Sequence, residues 1–303
     1  MDWGVVVPDI VAGLFLGAFF ALVAVGYSMV YGILRLINFA HGDFYMMAAF
    51  VSYTVLAWVT VSTKVNWGNV AWVGVATMAA GGLLAAAVER LVYRPMRKAA
   101  VLSLMIAALG VSETLENGVL NVPGWGSNYL PYPVTPPTSG FDVASVHYTW
   151  AQLAIVVIAG VLVLGVYWLV NHTMLGTAMR AVAQDRVAAT LLGINVDRVI
   201  AAVFFIGGAL AGAAAVMASL YYGQINYLMG FSIGLQAFTA AVLGGIGNVA
   251  GAALGGLLLG ILESVGTGLF GAQWALLFAF GALVLTLWLR PTGILGERIG
   301  QRV

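Results

Sequence analysis

The segment INFAHGDF, residues 37–44, places three side chains that could do chemistry between two apolar stretches. Asn38, His41 and Asp43 could move protons, bind a metal or hold irregular backbone in place. An ionisable side chain in hydrocarbon costs several kcal/mol, so such residues usually face protein, water or a functional site. The role of this segment therefore depends on the elements that surround it.

Metal and thiol chemistry find little support in the sequence. The chain has no cysteine, which excludes disulfides, thiolate nucleophiles and thiolate metal ligands. Its histidines, His41, His147 and His172, lie far apart and show no zinc-ligand spacing. The apolar stretches contain no Ser–His, Asp–Asp or metal-ligand spacing, and the chain has no P-loop sequence. We therefore expect a non-catalytic protein with no metal and no cofactor.

A second polar interruption, GGIGN, lies in the other half of the chain. Gly244, Gly245, Gly247 and Asn248 weaken a helix and leave backbone groups that need partners, which is tolerated only inside protein or beside water. Two glycine-interrupted hydrophobic segments in opposite halves are typical of a transport path. We therefore expect a translocation path near both interruptions.

The composition requires a membrane. Of the 303 residues, 62% are hydrophobic and 8% are charged, and the mean hydropathy is +1.01. A soluble domain averages roughly 25% charged residues, so this chain could not cover a water-facing surface. We predict an all-α integral membrane protein, with residues 1–303 forming one polytopic bundle of about nine (eight to ten) transmembrane helices. The candidate spans are 10–34, 42–62, 69–89, 100–119, 151–171, 199–222, 229–245, 249–268 and 273–289.

The basic residues orient these spans. All except Lys64 fall on one side, which is predicted to be cytoplasmic. The N-terminal stretch carries Asp2 and Asp9, no basic residue and no signal-peptide pattern, so we expect an uncleaved N-terminus outside and a C-terminus inside. The residues placed inside are Arg35, Arg90, Arg94, Arg97, Lys98, Arg180, Arg186, Arg198, Arg290, Arg298 and Arg302.

The outer side then receives residues 120–150, which are rich in proline, glycine and aromatic residues. This composition predicts a non-helical loop. Its aromatics could simply anchor it at the membrane interface, or the loop could be a docking surface for something delivered from outside. The sequence leaves both interpretations open.

A cytoplasmic segment, residues 172–198, is too polar to span the membrane. Residues 177–192 have apolar positions near helical period, which predicts a short amphipathic helix. Gly193 is expected to end that helix with positive φ, and Asn195 to cap the next span. The helix could lie in the lipid headgroups or insert into a soluble partner, and its alanine-rich body favours the partner. The predicted apolar face is Met179, Val182, Ala183, Val187 and Leu191.

Small residues four apart mark close helix packing. The pairs Gly208–Gly212, Gly251–Gly255 and Gly256–Gly260 let helix backbones approach closely in lipid, and helix packing accounts for them.

We interpret INFAHGDF as a helix break near the inner end of the first span. Asn38 and His41 would satisfy freed backbone groups, Gly42 would give flexibility, and Asp43 would cap the following helix. The alternatives are a short cytoplasmic turn and, for His41, a proton carrier.

Several long sequence blocks resemble the LivH-type permeases of bacterial branched-chain amino acid ABC importers. The resemblance covers nearly the whole chain in order. The blocks are ALVAVGYSMVYGILRLINFAHGDFYMMAAF, ERLVYRPMRKA, RAVAQDRVAATLLGINVDRVIA, FTAAVLGGIGNVAGAALGGLLLGILE and RPTGILG.

The resemblance implies a non-catalytic permease subunit in the bacterial inner membrane. Its expected partners are a second, related permease, two cytoplasmic ATP-binding subunits that hydrolyse ATP, and a periplasmic binding protein. Residues 176–193 would seat in the ATP-binding subunit, although the leading glutamate of the family's coupling motif is absent. Related permeases carry urea, short amides or small organic acids. The expected coupling residues are Arg180, Gln184, Asp185, Arg186 and Gly193.

A rival interpretation is a self-sufficient secondary transporter or channel, which would need buried carboxylates. The candidates are Glu113, Glu116 and Glu263. Glu113 and Glu116 share a helix face with Asn117. All three glutamates are expected towards the outer ends of their spans, where water-exposed glutamates are common, so they would be polar residues of a path or vestibule.

Overall fold

Helices make up most of the computed structural model, which describes residues 3–62, 67–143 and 146–296. Asp2, Lys64, Arg298 and Arg302, which entered the predicted orientation, lie outside the described residues. The helices are α1 (Trp3–Leu34), α2 (His41–Ser62), α3 (Trp67–Val88), a π-helical turn (Glu89–Tyr93), α4 (Arg94–Met96), α5 (Val101–Leu120), α6 (Trp150–His172), α7 (Met174–Gln184), α8 (Arg186–Leu191), α9 (Val196–Tyr222), α10 (Met229–Gly244), α11 (Val249–Phe270), a 3-10 turn (Ala272–Trp274) and α12 (Ala275–Leu289).

Every predicted span coincides with a helix, but not every helix is long and apolar. Within the described ranges, seven helices are long and apolar enough to cross a membrane: α1, α2, α3 with its extension to Met96, α6, α9, α11 and α12 with the preceding turn. α5 is not among them, and α10 has only 16 residues. The all-α, multi-pass membrane architecture is confirmed, while the number nine stays a prediction.

Glycine contacts hold the centre of the bundle together. α1 packs most extensively on α11, and α3 on α9. A Cβ added at Gly256 would lie 2.4 Å from Ala21 Cα, and one at Gly208 would lie 2.3 Å from the Gly81 carbonyl oxygen. Since these backbones are already in contact, the predicted packing role of the glycine pairs is confirmed. By contrast, most of α6 and α12 is exposed and apolar, as lipid-facing helices are.

One end of the bundle collects basic side chains. Arg94 and Arg97 both form ion pairs with Asp197 at the start of α9. Arg186 on α8 lies close enough to Arg97 and Arg35 to feel their charge. We call this end, defined by Arg35, Arg94, Arg97 and Arg186, the basic end.

The opposite end is covered by residues 121–143 and 146–149, and we call it the loop end. Trp125 Nε1 donates to Thr54 Oγ1 at 2.8 Å, and Tyr132 Oη donates to Ser52 Oγ at 3.0 Å. The described part of this loop contains no helix, as predicted. Two short antiparallel strand pairs in this region were not predicted: β1 (Leu130–Pro131) with β4 (Gln224–Ile225), and β2 (Gly140–Val143) with β3 (Val146–Thr149).

Candidate translocation path

The first interruption, residues 35–40, separates α1 from α2. Asn38 is buried, and its Oδ1 accepts hydrogen bonds from the Ala40 N–H at 3.2 Å and from Tyr93 Oη at 2.6 Å. This is the backbone-satisfying role predicted for Asn38. The Nδ2 of Asn38 has no hydrogen-bond partner within the described chain.

The sequence predicted this interruption near the inner end of α1. In the structure it extends further into the bundle. A Cβ on Gly26 would lie 2.5 Å from His41 Nε2, so the first residue of α2 sits beside Gly26. Gly26 precedes the last residue of α1, Leu34, by eight positions, or about 12 Å of helix. Residues 35–40 therefore lead the chain back into the bundle, and α2 begins within it.

His41 does not satisfy freed backbone groups, contrary to expectation. Its ring lies between Tyr27 and Phe44, with centroid distances of 4.6 and 5.8 Å. It also faces the close glycine backbones of Gly26 and Gly207. The backbone group that its ring approaches is that of Val23, within α1 and outside the interruption, and this contact falls short of full hydrogen-bond geometry. Tertiary packing at a glycine-lined junction, rather than capping, fixes this side chain.

Asp43 does not cap α2: it is the third residue of the helix, and among the described residues neither of its carboxylate oxygens accepts from a backbone N–H at the helix start. Asp43 Oδ2 accepts a hydrogen bond from Ser112 Oγ on α5. Its Oδ1 faces Gly230 at the start of α10, where a Cβ would lie 2.6 Å away. Glu116 on α5 also reaches the Asp43 carboxyl. The structure thus joins one candidate of the first interruption to one of the candidate glutamates.

Gly42 allows α10 to begin at the same depth in the bundle as α2. A Cβ on Gly42 would lie 2.2 Å from the Gly230 carbonyl oxygen and 2.8 Å from Gly234 Cα. The N-termini of α2 and α10 therefore cross in direct backbone contact inside the bundle. Gly42 is required for close approach, which the sequence interpretation described only as flexibility.

The second interruption joins α10 to α11 at the basic end. Gly245 and Gly247 have φ of +112° and +97°, which only glycine adopts readily. Asn248 Oδ1 caps α11 by accepting from the Gly251 N–H at 3.0 Å. Ser28 Oγ of α1 accepts from the Gly247 N–H at 2.8 Å. Since His41 lies beside Gly26, both interruptions flank the same stretch of α1.

The segment after α12 closes over this second interruption. The N–H groups of Ile294 and Leu295 donate to the carbonyls of Leu243 and Gly244 at 3.0 and 2.9 Å. Asn248 Nδ2 donates to the Leu295 carbonyl at 3.0 Å. The free carbonyls at the end of α10 are thereby satisfied by the last described residues.

The segment predicted to be cytoplasmic, residues 172–198, forms two helices instead of the single helix predicted over 177–192. Asp185 interrupts them, because its Oδ1 accepts from the N–H groups of Val187 and Ala188 at 2.7 and 3.0 Å and starts α8. Gly193 has φ of +81°, as predicted, and Asn195 caps α9 through the Arg198 N–H.

This segment exposes apolar side chains and contacts the first interruption. Of the predicted apolar face, Met179 and Val182 are buried within this chain, whereas Val187 and Leu191 are exposed, at 70% and 83%. Arg186 donates to the Ile33 carbonyl at 3.0 Å, one residue before the end of α1. Two other coupling candidates are at the surface: Arg180, which bonds the Val170 carbonyl, and Gln184.

A small cavity lies at this junction. It has a volume of about 180 Å³ and is lined by residues of the first interruption, of the α4–α5 connection and of α8. Burial lowers the pKa of the Arg186 guanidinium, and the neighbouring charges of Arg97 and Arg35 lower it further. The lining residues are Leu34, Leu36, Tyr93, Arg97, Ala99, Val101, Leu104 and Arg186.

The three glutamates have different environments. Glu113 is exposed and lies 3.2 Å from Asn117 Nδ2, as their shared face predicted. Glu116 turns towards Asp43. Glu263 is not water-exposed, because it is 7% exposed and both its oxygens accept from Gln236 Nε2, at 2.9 and 3.0 Å. Among the described residues, no group of three His, Asp or Glu could hold a metal ion.

Comparison with known proteins gives the family. The chain is 40% identical over 302 residues to the high-affinity branched-chain amino acid transport system permease protein BraD of Pseudomonas aeruginosa, covering 97% of both chains. It is 40% identical over 301 residues to the similarly named LivH of Escherichia coli K12, covering 96% of both. A probable LivH of Methanocaldococcus jannaschii is 26% identical over 91% of this chain and 88% of the relative.

No solved structure matches the chain. The model of one protein family matches residues 10–287. These matches span almost the whole sequence, and the chain belongs to the family of permease components of the branched-chain amino acid transport system.

Proposed function

We propose that this chain is the membrane-spanning permease subunit of an ATP-driven importer and forms part of the translocation path for branched-chain amino acids. The observation that carries this proposal is the 40% identity, over nearly the whole chain, to relatives named as permeases of high-affinity branched-chain amino acid transport systems. The partners are a second, related permease, two ATP-binding subunits and a substrate-binding protein. ATP hydrolysis belongs to the ATP-binding subunits, and the permease itself needs no cofactor.

The α7–α8 segment is the coupling element in this proposal. Its exposed apolar side chains, including Val187, Leu191 and Leu192, suit insertion into a groove of a soluble partner. Arg186 ties α8 to the Ile33 carbonyl, next to the start of the first interruption. Movement of an ATP-binding subunit would therefore act on α1 at the point where its helix ends and residues 35–40 turn back into the bundle.

The orientation follows from charge. We place the basic end in the cytoplasm, because arginines are retained on that side, and the N-terminus and loop end outside the inner membrane. Docking of the binding protein on residues 120–150 is supported by their position. The whole chain, residues 1–303, would act as one transmembrane domain.

The two interruptions form the path in this proposal. Asn38, His41, Gly42 and Asp43 contribute irregular backbone and polar groups inside the bundle, and residues 244–248 do so at the basic end. Such groups can pass a zwitterion without binding it tightly, while the binding protein supplies the affinity.

The deciding experiment purifies the tagged chain from its native membrane in mild detergent and identifies its stoichiometric partners. We expect ATP-binding subunits and a second permease. Liposomes containing this complex should import radiolabelled leucine only with the binding protein outside and ATP at the cytoplasmic face. Ion-gradient-driven leucine uptake by the chain alone would refute the proposal and favour a secondary transporter, for which Glu263 would be the first residue to test.

A further inference from the structure

We propose that Asp43 and Glu116 form a subsite for the ammonium group of the transported amino acid, at the junction of α2, α5 and α10. This inference rests on the proposed function, since it assigns residues to the substrate of that path. It depends on the placement of two acidic side chains that local sequence gives no reason to pair, because they are 73 positions apart.

The first step is the unused hydrogen-bonding capacity of Asp43. The residue is 1% exposed, and Ser112 Oγ donates to its Oδ2. Its Oδ1 accepts from no N–H or hydroxyl of the described residues, and the one group within its reach is the Glu116 carboxyl, which can share a proton with it. Burying a carboxylate oxygen without a hydrogen bond costs free energy, because the hydrogen bonds that it made to water are not replaced. Such an atom is retained where a ligand supplies the missing donor.

The second step is the acidic environment of that oxygen. The Glu116 and Asp43 carboxyl groups lie within hydrogen-bonding reach of each other, and among the described residues no N–H or hydroxyl donates to Glu116 Oε1. Glu113 lies one turn away on the surface of α5 and adds negative charge. Two carboxyl groups in contact repel each other unless a cation or a shared proton lies between them. The site therefore favours a positive group.

The third step is that the protein supplies no such group there. In the described ranges, the ion pairs of Arg94 and Arg97 lie at the basic end, and the remaining one joins His147 to Asp142 in the loop. The groups facing Asp43 are Ser112, Glu116 and Glu113 from α5, Tyr27 from α1 and the Gly230 backbone of α10. None of these side chains carries a permanent positive charge. A substrate ammonium has three donors and one positive charge, which matches the unpaired carboxylate oxygens.

The fourth step is access. Glu116 is only half-buried, and α5 packs chiefly on α2 and on the π-helical turn after α3. An ionisable residue on the exposed face of a helix at this depth faces a water-filled path or another protein rather than lipid. Glu116 therefore lies between the surface of α5 and Asp43. An ammonium group entering at Glu116 would meet the Asp43 carboxyl next.

The test compares neutral, isosteric variants in the complete importer reconstituted in liposomes. Asp43→Asn and Glu116→Gln keep the shape of each side chain and remove its charge. We expect each to lower the maximal rate of radiolabelled leucine uptake by at least about tenfold, because an ion pair with the ammonium is lost. The half-saturating leucine concentration, which the binding protein sets, should be unchanged. The double variant should be little worse than the more impaired single variant, because both acids act on one group.

Thr114→Val is the matched control on the same helix. Thr114 is exposed, and its Oγ1 bonds only the Gly110 carbonyl of its own helix, so uptake should remain at the wild-type rate. Co-purification of the ATP-binding subunits and stimulation of ATP hydrolysis by loaded binding protein report on assembly. Glu116→Gln, at the half-buried position, decides the outcome if Asp43→Asn fails to assemble.

Three results would overturn the subsite. Wild-type uptake by both neutral variants would show that the carboxyl pair only shares a proton. Loss of assembly in both would make the pair structural. A raised half-saturating concentration with an unchanged maximal rate would place the effect outside the path. Failure of the wild-type complex to import leucine would instead refute the proposed function, so the two failures are distinguishable.

Discussion

Replacing Gly42 with alanine tests whether α2 and α10 depend on direct backbone contact. The added Cβ would lie 2.2 Å from the Gly230 carbonyl oxygen, well inside the ordinary contact distance of 3.4–4 Å. Since Gly230 O and Gly234 Cα are backbone atoms, no side-chain rotation can relieve the clash, and the two helices must separate. Overpacking of this kind costs about 1–3 kcal/mol.

The control is Gly165→Ala on α6, where an added Cβ meets nothing within 4 Å. Alanine in an open helix position stabilises by roughly 0.5–1 kcal/mol. The two variants should therefore differ by about 1.5–4 kcal/mol in free energy of unfolding, with Gly42→Ala the less stable. The measurement is reversible unfolding in mixed micelles, followed by circular dichroism. Equal stability of the two variants would refute the close crossing of α2 and α10.

The remaining predictions concern the interruption, the coupling segment and the loop. Asn38→Leu should lose about 1–3 kcal/mol of stability, because Tyr93 Oη and the Ala40 N–H lose their acceptor; Tyr93→Phe, measured by the same unfolding assay, should cost less. Gly193→Val should abolish leucine uptake while ATP hydrolysis persists, whereas Gly193→Asn should retain uptake. The reason is that the φ of +81°, which asparagine tolerates and valine does not, limits this position, while an added Cβ meets nothing within 4 Å. Equal uptake by the two variants would contradict this. The hydrogen bond to Asp142 raises the pKa of His147, with the Thr138 carbonyl contributing, so the protonated ring stabilises the β2–β3 hairpin at low pH. This stabilisation should disappear as pH rises through the raised pKa of His147. Hydrogen exchange of the hairpin amides, corrected for intrinsic rates, should therefore be slower at about pH 6 than at about pH 8. Asp142→Asn should remove that difference.

Sequence patterns within single segments predicted where the helices lie better than they predicted which residues are in contact. Hydropathy located the helices, and the cap at Asn195 formed as expected because it is satisfied within its own turn. Asn248 caps α11 in the same way, a role that the sequence interpretation did not assign to it. The break between α7 and α8 was missed, although Asp185 within an alanine-rich helical pattern is a capping signal. Its side chain competes with the continuing helix for the next backbone N–H groups.

The candidate site depended on distant neighbours, which explains the incorrect roles. Asp43 looked like a cap because Asp is common in the first turn of a helix, but its partner, Ser112, lies 69 residues away. The depth of His41 follows from its contact with Gly26 and Gly207, which no periodicity encodes. Glu263 looked water-exposed because its place along the helix does not reveal Gln236 opposite.

The segment that closes over the second interruption has a consequence for the timing of biogenesis. The carbonyl groups of Leu243 and Gly244 accept hydrogen bonds from the N–H groups of Ile294 and Leu295, which are synthesised about 50 residues later. These hydrogen bonds therefore cannot form when α10 itself has just been made. At about 5–20 residues per second, a ribosome needs about 3–10 s to make that stretch. During this interval, water or the insertion machinery must donate hydrogen bonds to the carbonyl groups at the end of α10, because hydrocarbon has no donors. Nascent chains stalled within α12 should therefore remain sensitive to proteolysis at residues 245–248, and release of the next few residues should make that turn resistant.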